Sequence, residues 1–304
     1  MSDVVKEVLR LKEKRNAIIL AHNYQRPEIQ DIADFLGDSL NLARKACETN
    51  AEVIVFCGVD FMAETASILN PHKRVLIPDP SSICPMARML SADEVERAKR
   101  EYPETDVVLY VNSSAECKAH SNCVCTSSNP DKLVNAMKSS KVIFGPDLNL
   151  THYVENRTTK EVIPIPRYGM CPTHHQISKD DIETALKDHP DAELVVHPET
   201  IPEVQEMADE IASTEGILDY CRSSEKNEFI VGTENGILHR LRKEIPEKRF
   251  YHVSELMVCP PMKMITLRKV RDSLRDMKYE VNIPQDIADR ARKSIQCMLD
   301  VLGR

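Results

Sequence analysis

The sequence predicts an α/β protein built from three repeated units, each a small parallel sheet flanked by helices. Three observations predict it. The dipeptide Cys-Pro occurs at Cys84, Cys171 and Cys259, separated by 87 and 88 residues. Three apolar runs ending in polar groups keep the same step: "AIILAHNY" reaches His22 and Tyr24, "VVLYVN" reaches Tyr110 and Asn112, and "LVVHPE" reaches His197 and Glu199. Two further sets of apolar runs, "VIVFCG", "KVIFGP", "FIVGTE" and "KRVLIP", "KEVIPI", "KRFYHV", follow in register, the last set aligning Lys73, Lys160 and Lys248.

Each unit reads in the same order. A charged amphipathic segment comes first, "MSDVVKEVLRLKEKRN" in unit one, then "SADEVERAKR" and "SKDDIETALK", where Ser91 and Ser178 are helix caps with an acid in the first turn. The first strand run follows. A second helix opens near a hydroxyl that is also in step, at Ser39, Ser127 and Thr214. Two more strands, with a helix between them, lead to the Cys-Pro loop. Strands alternating with helices imply parallel sheets covered on both faces. The predicted domains are 1–86, 87–173 and 174–262. Residues 263–304, containing "LRKVRDSLRDM" and "PQDIADRARKSIQCMLDVL", form two closing helices that complete the first domain.

Bulk properties exclude several classes. A formal net charge of -8 and pI near 5.7 argue against a nucleic-acid or anionic-membrane surface. The N-terminus lacks an apolar signal-peptide core and no apolar run spans a bilayer, so the reading is cytoplasmic, with no membrane partner. Ten cysteines in a reducing compartment are not a disulfide framework. Cys47, Cys221 and Cys297 lie in helix-like runs and read as packing. Cys117, His120, Cys123 and Cys125 are crowded, but their spacing is wrong for a paired zinc knuckle and only one unit has them. Phe61 and Met62 read as core or cavity wall, and Lys263 as a phosphate contact or a solvated helix residue.

The repeat gathers scattered polar residues. Ligands of open α/β sheets bind beyond the carboxyl ends of strands, where His22, Tyr24, Tyr110, Asn112, His197 and Glu199 all fall. Ser39, Ser127 and Thr214 at helix starts would cap those helices and suit carboxylate or phosphate groups. Three thiolates from distant loops, without a fourth, match an iron-sulfur cluster or metal with one open position.

The motifs "AHNYQ", "GDSL", "GVDFMAETA", "YVNS", "HPE", "ST" and the three Cys-Pro loops together resemble the quinolinate synthase family, of the NadA type, over essentially the whole chain. The resemblance implies three pseudo-symmetric domains around a central cavity and a 4Fe-4S cluster on Cys84, Cys171 and Cys259. It implies condensation of iminoaspartate with dihydroxyacetone phosphate to quinolinate, phosphate and water, in NAD biosynthesis. Carried over by position, the substrate contacts are His22, Ser39, Tyr110, Val111, Asn112, Ser127, His197, Pro198, Glu199 and Thr214. Tyr24 and Glu199, with His22 and His197, are the catalytic candidates, and an aspartate-oxidising enzyme is the implied metabolic partner. The other readings of the cysteine pattern are an aconitase-type hydro-lyase with an open iron and a non-catalytic cluster sensor.

Overall fold

A computed structural model describes residues 2–303. It contains three four-stranded parallel sheets of one topology. The first holds β1 (Ala17–His22), β2 (Phe35–Gly37), β3 (Val53–Cys57) and β4 (Arg74–Leu76), in the order β2-β1-β3-β4. The second holds β5 (Asp106–Tyr110), β6 (Cys123–Cys125), β7 (Lys141–Gly145) and β8 (Glu161–Pro164), and the third β9 (Glu193–Val196), β10 (Glu210–Ile211), β11 (Glu228–Gly232) and β12 (Arg249–His252), each in the corresponding order. The nine strand runs expected from sequence are all strands. The edge strands β2, β6 and β10, of three, three and two residues, are additional to those nine; unlike β4, which lies in the run "KRVLIP", they are not among the apolar runs that keep the repeat step.

The strand order explains where chemistry gathers. The chain leaves β1, forms β2 on one side, then crosses to β3 on the other, so the carboxyl ends of β1 and β3 border a switch point. Central strands are buried along nearly their whole length, as "VIVFC" in β3 is at every residue. That is why they read as continuous apolar runs.

Repeat-related side chains close the ends of the elements. Lys73 Nζ donates to the carbonyls of Ala46 and Thr49, both at 2.7 Å, at the end of the helix Ser39–Glu48. Lys248 Nζ does the same for Cys221 and Ser224 after the helix Thr214–Ser223, and Lys160 Nζ for Met137. A cation thus satisfies orphan carbonyls at each helix C-terminus. Just before β2, β6 and β10, Asp34, Asn122 and Asp209 accept the N–H groups of Ile19, Val107 and Leu194. Ser91 and Ser178 form capping boxes with Glu94 and Asp181, as expected.

The described chain divides into two compact units, one of residues 1–84 and 259–289, the other of residues 85–258 and 290–304. In the first, Ile265, Val270 and Leu274 join Val8, Leu11, Ile19 and Val55 in one core. The second contains the second and third sheets. There the end of the helix Gln285–Val301 is tied down twice, by Ser294 Oγ on the Lys118 carbonyl at 2.9 Å and by a disulfide between Cys297 and Cys123. Reading Cys297 as packing and excluding disulfides are therefore corrected: its partner lies 174 residues away, beyond the reach of local spacing. Cys221 is buried as expected, whereas Cys47 is exposed and not a packing residue. Cys117 Sγ donates to the Leu90 carbonyl, and burial raises the Cys117 and Cys125 thiols, so with Cys123 in a disulfide the crowded cysteines are accounted for by packing.

Candidate active site

The second unit assembles its polar group around Glu199, which is 3 % exposed. The loop after β9 carries it, and the loop after β5 reaches it: Tyr110 Oη donates to Glu199 Oε1 at 2.6 Å and Asn112 Nδ2 to the same oxygen at 3.3 Å. The other carboxylate oxygen, Oε2, lies 2.7 Å from His174 Nδ1, and Asn149 Nδ2 holds the Glu199 carbonyl at 2.8 Å. His174 Nδ1 is also 3.1 Å from Cys171 Sγ. With acceptors on both sides, Nδ1 carries the ring hydrogen. His174 Nε2 meets Thr233 Oγ1 at 2.7 Å, and its ring stacks on His197 at 4.8 Å.

Protonation follows from these neighbours. Burial alone would raise the Glu199 carboxyl, but the hydrogen bonds from His174 and the Tyr110 hydroxyl oppose it and hold the group below the usual carboxylate range. Burial keeps His197 neutral, its pKa pushed down to about 3, with Glu199 opposing that shift. His197 Nδ1 accepts the Glu199 amide at 3.3 Å, so its hydrogen sits on Nε2. The result is a buried, ionised carboxylate hydrogen-bonded at both oxygens. The Asn112 Oδ1 atom beside it is buried with no hydrogen-bond partner. An orphaned acceptor there is positioned for a ligand N–H or O–H.

The loop carrying Cys171 is clamped from below. Its amide donates to Asp147 Oδ2 at 2.9 Å, while Asp147 Oδ1 caps the helix Leu148–Glu155 through Leu150 N at 2.7 Å. Gly169 passes so close to β7 that a Cβ would stand 1.6 Å from the Pro146 carbonyl oxygen, so only glycine fits. In the first unit Asp60 repeats the clamp, accepting the Cys84 amide at 2.9 Å. Cys171 and Cys259 each cap a short helix opened by proline, with nearly the same backbone angles, φ -82°, ψ 113° and φ -87°, ψ 102°. Ser82 Oγ donates to the Pro261 carbonyl at 2.8 Å, so the Cys84 and Cys259 loops are neighbours. Among the eight cysteines outside the disulfide, Cys84, Cys171 and Cys259 are of intermediate exposure, Cys47 is exposed and the others are buried.

Also in the first unit, His22 Nδ1 accepts the Tyr24 amide at 3.2 Å and the two rings meet edge-on at 4.6 Å. Lys263 Nζ donates to the Tyr24 carbonyl, and Arg26 Nε to the Lys263 carbonyl at 2.8 Å, so Lys263 is a loop tie. Ser39 and Thr214 are the first residues of their helices, but Asp38 and Ser213 do the capping, which corrects that expectation. Ser127 lies in the turn Thr126–Asn129 before the helix Pro130–Ala136, whose N-cap position is Asn129, with Asn129 Oδ1 accepting the Thr126 amide. Val111 is buried with its amide on the Cys125 carbonyl, and the Pro198 carbonyl accepts from Gln205. Phe61 and Met62 are buried, as expected of core or wall.

Four contributors are not among the residues singled out from sequence. Asp147 and Asp60 keep the 87-residue step and were readable from it. Asn149 and His174 were not, since Ala87 and Met262 occupy the positions equivalent to His174. Cys171, His174 and Glu199 are also a group spaced to hold a metal, with ligand atoms within 4.8 Å of one another.

A triplicated parallel α/β scaffold with a buried carboxylate, paired imidazoles and partly exposed loop thiols defines an enzyme acting on small polar molecules. A family profile described as "Quinolinate synthetase A protein" matches residues 6–300. Relatives named quinolinate synthase include those of Pyrococcus horikoshii, 55 % identical over 299 residues (98 % of this chain, 99 % of the relative), and Thermococcus kodakarensis, 55 % identical over 298 residues (98 % of each). That of Methanosarcina barkeri is 50 % identical over 99 % of this chain and 98 % of its own length. The chain belongs to the quinolinate synthase family. No helix among the described residues is long and apolar enough to cross a membrane.

Proposed function

We propose that the protein condenses iminoaspartate with dihydroxyacetone phosphate to form quinolinate for NAD biosynthesis, with loss of phosphate and water. Family membership supports this reading, and the Glu199 group carries it. Forming a carbon–carbon bond from an enamine and then an aromatic ring requires protons to leave carbon and nitrogen. The Glu199 carboxylate receives them, with Tyr110 and Asn112 holding one oxygen and His174 the other. Asn112 Oδ1 accepts a substrate N–H. Tyr24, fixed beside His22, is the second proton-transfer group. Ser39, Ser127 and Thr214 are the anion contacts, and Val111 and Pro198 line the strand-end loops.

Cys84, Cys171 and Cys259 would hold a 4Fe-4S cluster, which when bound supplies an open, Lewis-acidic iron for a departing hydroxyl. Their partial exposure and the clamped loop amides fit that role. The spacing of Cys171, His174 and Glu199 favours one other reading, a single metal ion on those three. An aspartate-oxidising enzyme is the source of the unstable imine.

The test is to mix both substrates with anaerobically reconstituted protein and follow the near-ultraviolet absorbance of the aromatic acid. Product formation is expected. Its absence from protein carrying about four irons and four sulfides per chain would remove the assignment.

A further inference from the structure

Lys118 lies in the short helix Ala115–Ala119 after β5 and is 0 % exposed. Its Nζ donates to the Ser113 carbonyl at 2.6 Å. The repeat shows what this contact is for. Position 118 is equivalent to Gln30 and Gln205, at steps of 88 and 87, and Ser113 to Gln25 and Thr200 at the same steps. Gln30 Nε2 donates to the Gln25 carbonyl at 2.8 Å, and Gln205 Nε2 to the Thr200 carbonyl at 2.7 Å. Each repeat therefore has a side-chain donor that pins the loop leaving its first strand. Two use a neutral amide; the second uses an ammonium.

A buried lysine is the costlier choice, because its charge must leave water. The two glutamines establish that a neutral side chain makes the tie, so the tie does not require the charge. The pinned loop is the one bearing Tyr110, whose hydroxyl bonds the Glu199 carboxylate, and Asn112, whose Oδ1 is an orphaned acceptor. We propose that Lys118 is a positioning residue that holds the 110–113 loop and also puts a fixed positive charge behind it, strengthening the binding of a dicarboxylate in front. This rests on the reading of that loop as a substrate contact.

Lys118→Gln separates the two contributions, since the amide keeps the tie and removes the charge. The expected result is a folded protein, with circular dichroism and melting temperature close to wild type. Its Kd for quinolinate by calorimetry, and its KM for the dicarboxylate substrate, rise about fivefold to tenfold while kcat stays within about twofold. Lys118→Met, which loses the tie as well, lowers kcat in addition. An unchanged Kd in Lys118→Gln overturns the proposal, as does a fall in kcat at constant Kd. Should Lys118→Gln not fold, Lys118→Arg keeps the charge and is expected to bind quinolinate within about threefold of wild type; a tenfold loss there overturns it equally. Asn112→Ala is the control. If it leaves quinolinate binding unchanged, the loop is not a substrate contact; if it weakens binding and Lys118→Gln does not, the role of Lys118 alone is wrong.

Discussion

At the end of β1, His22 Nδ1 accepts the amide of Tyr24; at the end of β9, His197 Nδ1 accepts the amide of Glu199. The two loops have the same length, the same glutamine tie and an imidazole held in the same tautomer. They differ in the group two residues on. One presents a phenol beside a lysine that grips its backbone, the other a buried carboxylate gripped at its own oxygens by Tyr110, Asn112 and His174. The repeat supplies a scaffold three times, and the group around Glu199 draws on positions where the copies disagree as well as on positions where they match. The copies disagree at His174, Asn112 and Lys118.

The comparison can be broken most forcefully at the carboxylate. Glu199→Gln keeps shape and removes charge, so turnover is expected to fall about 100-fold or more while iron and sulfide content are retained. Turnover near wild type would move the base elsewhere, with Tyr24 the next candidate. The second sheet differs from the first in its covalent tie to the final helix. Cys297→Ser is expected to lower the stability of oxidised protein by about 2–4 kcal/mol, read as a drop in melting temperature that disappears when wild type is reduced.

The imidazole of the third sheet sharpens the contrast through pH. His197 stays neutral in the folded chain, its pKa about 3 against an ordinary 6.5. As pH falls below 6.5 the unfolded chain takes up that proton and the folded chain does not, so stability declines by up to about 1.4 kcal/mol per pH unit. Glu199, held low, adds to the loss below its ordinary range near 4.5. His197→Gln is expected to flatten the acid limb of melting temperature between pH 6.5 and about 4.5; an unaltered slope would mean the histidine is not buried neutral. The smallest effect concerns the first helix of each repeat. Ser178→Ala removes a capping box and is expected to cost about 1 kcal/mol, more than Ser2→Ala in the first repeat, where Ser2 makes one long cap bond of 3.4 Å.

Much of this was legible in the sequence for a physical reason. Central parallel strands are buried on both faces and must be apolar along their length, so β1, β3, β5, β7, β9 and β11 announced themselves, and a fixed step of 87 or 88 residues turned isolated polar residues into equivalent positions. The illegible parts are those with no period. The edge strands β2, β6 and β10 are two or three residues long and are not among the apolar runs that keep the step. His174 has no counterpart in the other repeats, the disulfide joins residues 174 positions apart, and Ser39 and Thr214 stand one place inside their helices because the preceding residue caps.

The central claim is that the three Cys-Pro loops serve one cluster rather than marking an ancestral repeat. Iron and acid-labile sulfide, measured on anaerobically reconstituted wild type and on Cys84→Ala, Cys171→Ala and Cys259→Ala, test it directly. The account predicts about four irons and four sulfides per chain in wild type, and loss of the stable cluster in each variant. A single metal ion without sulfide, abolished by Cys171→Ala but retained in Cys84→Ala and Cys259→Ala, would contradict it and favour the Cys171, His174 and Glu199 group.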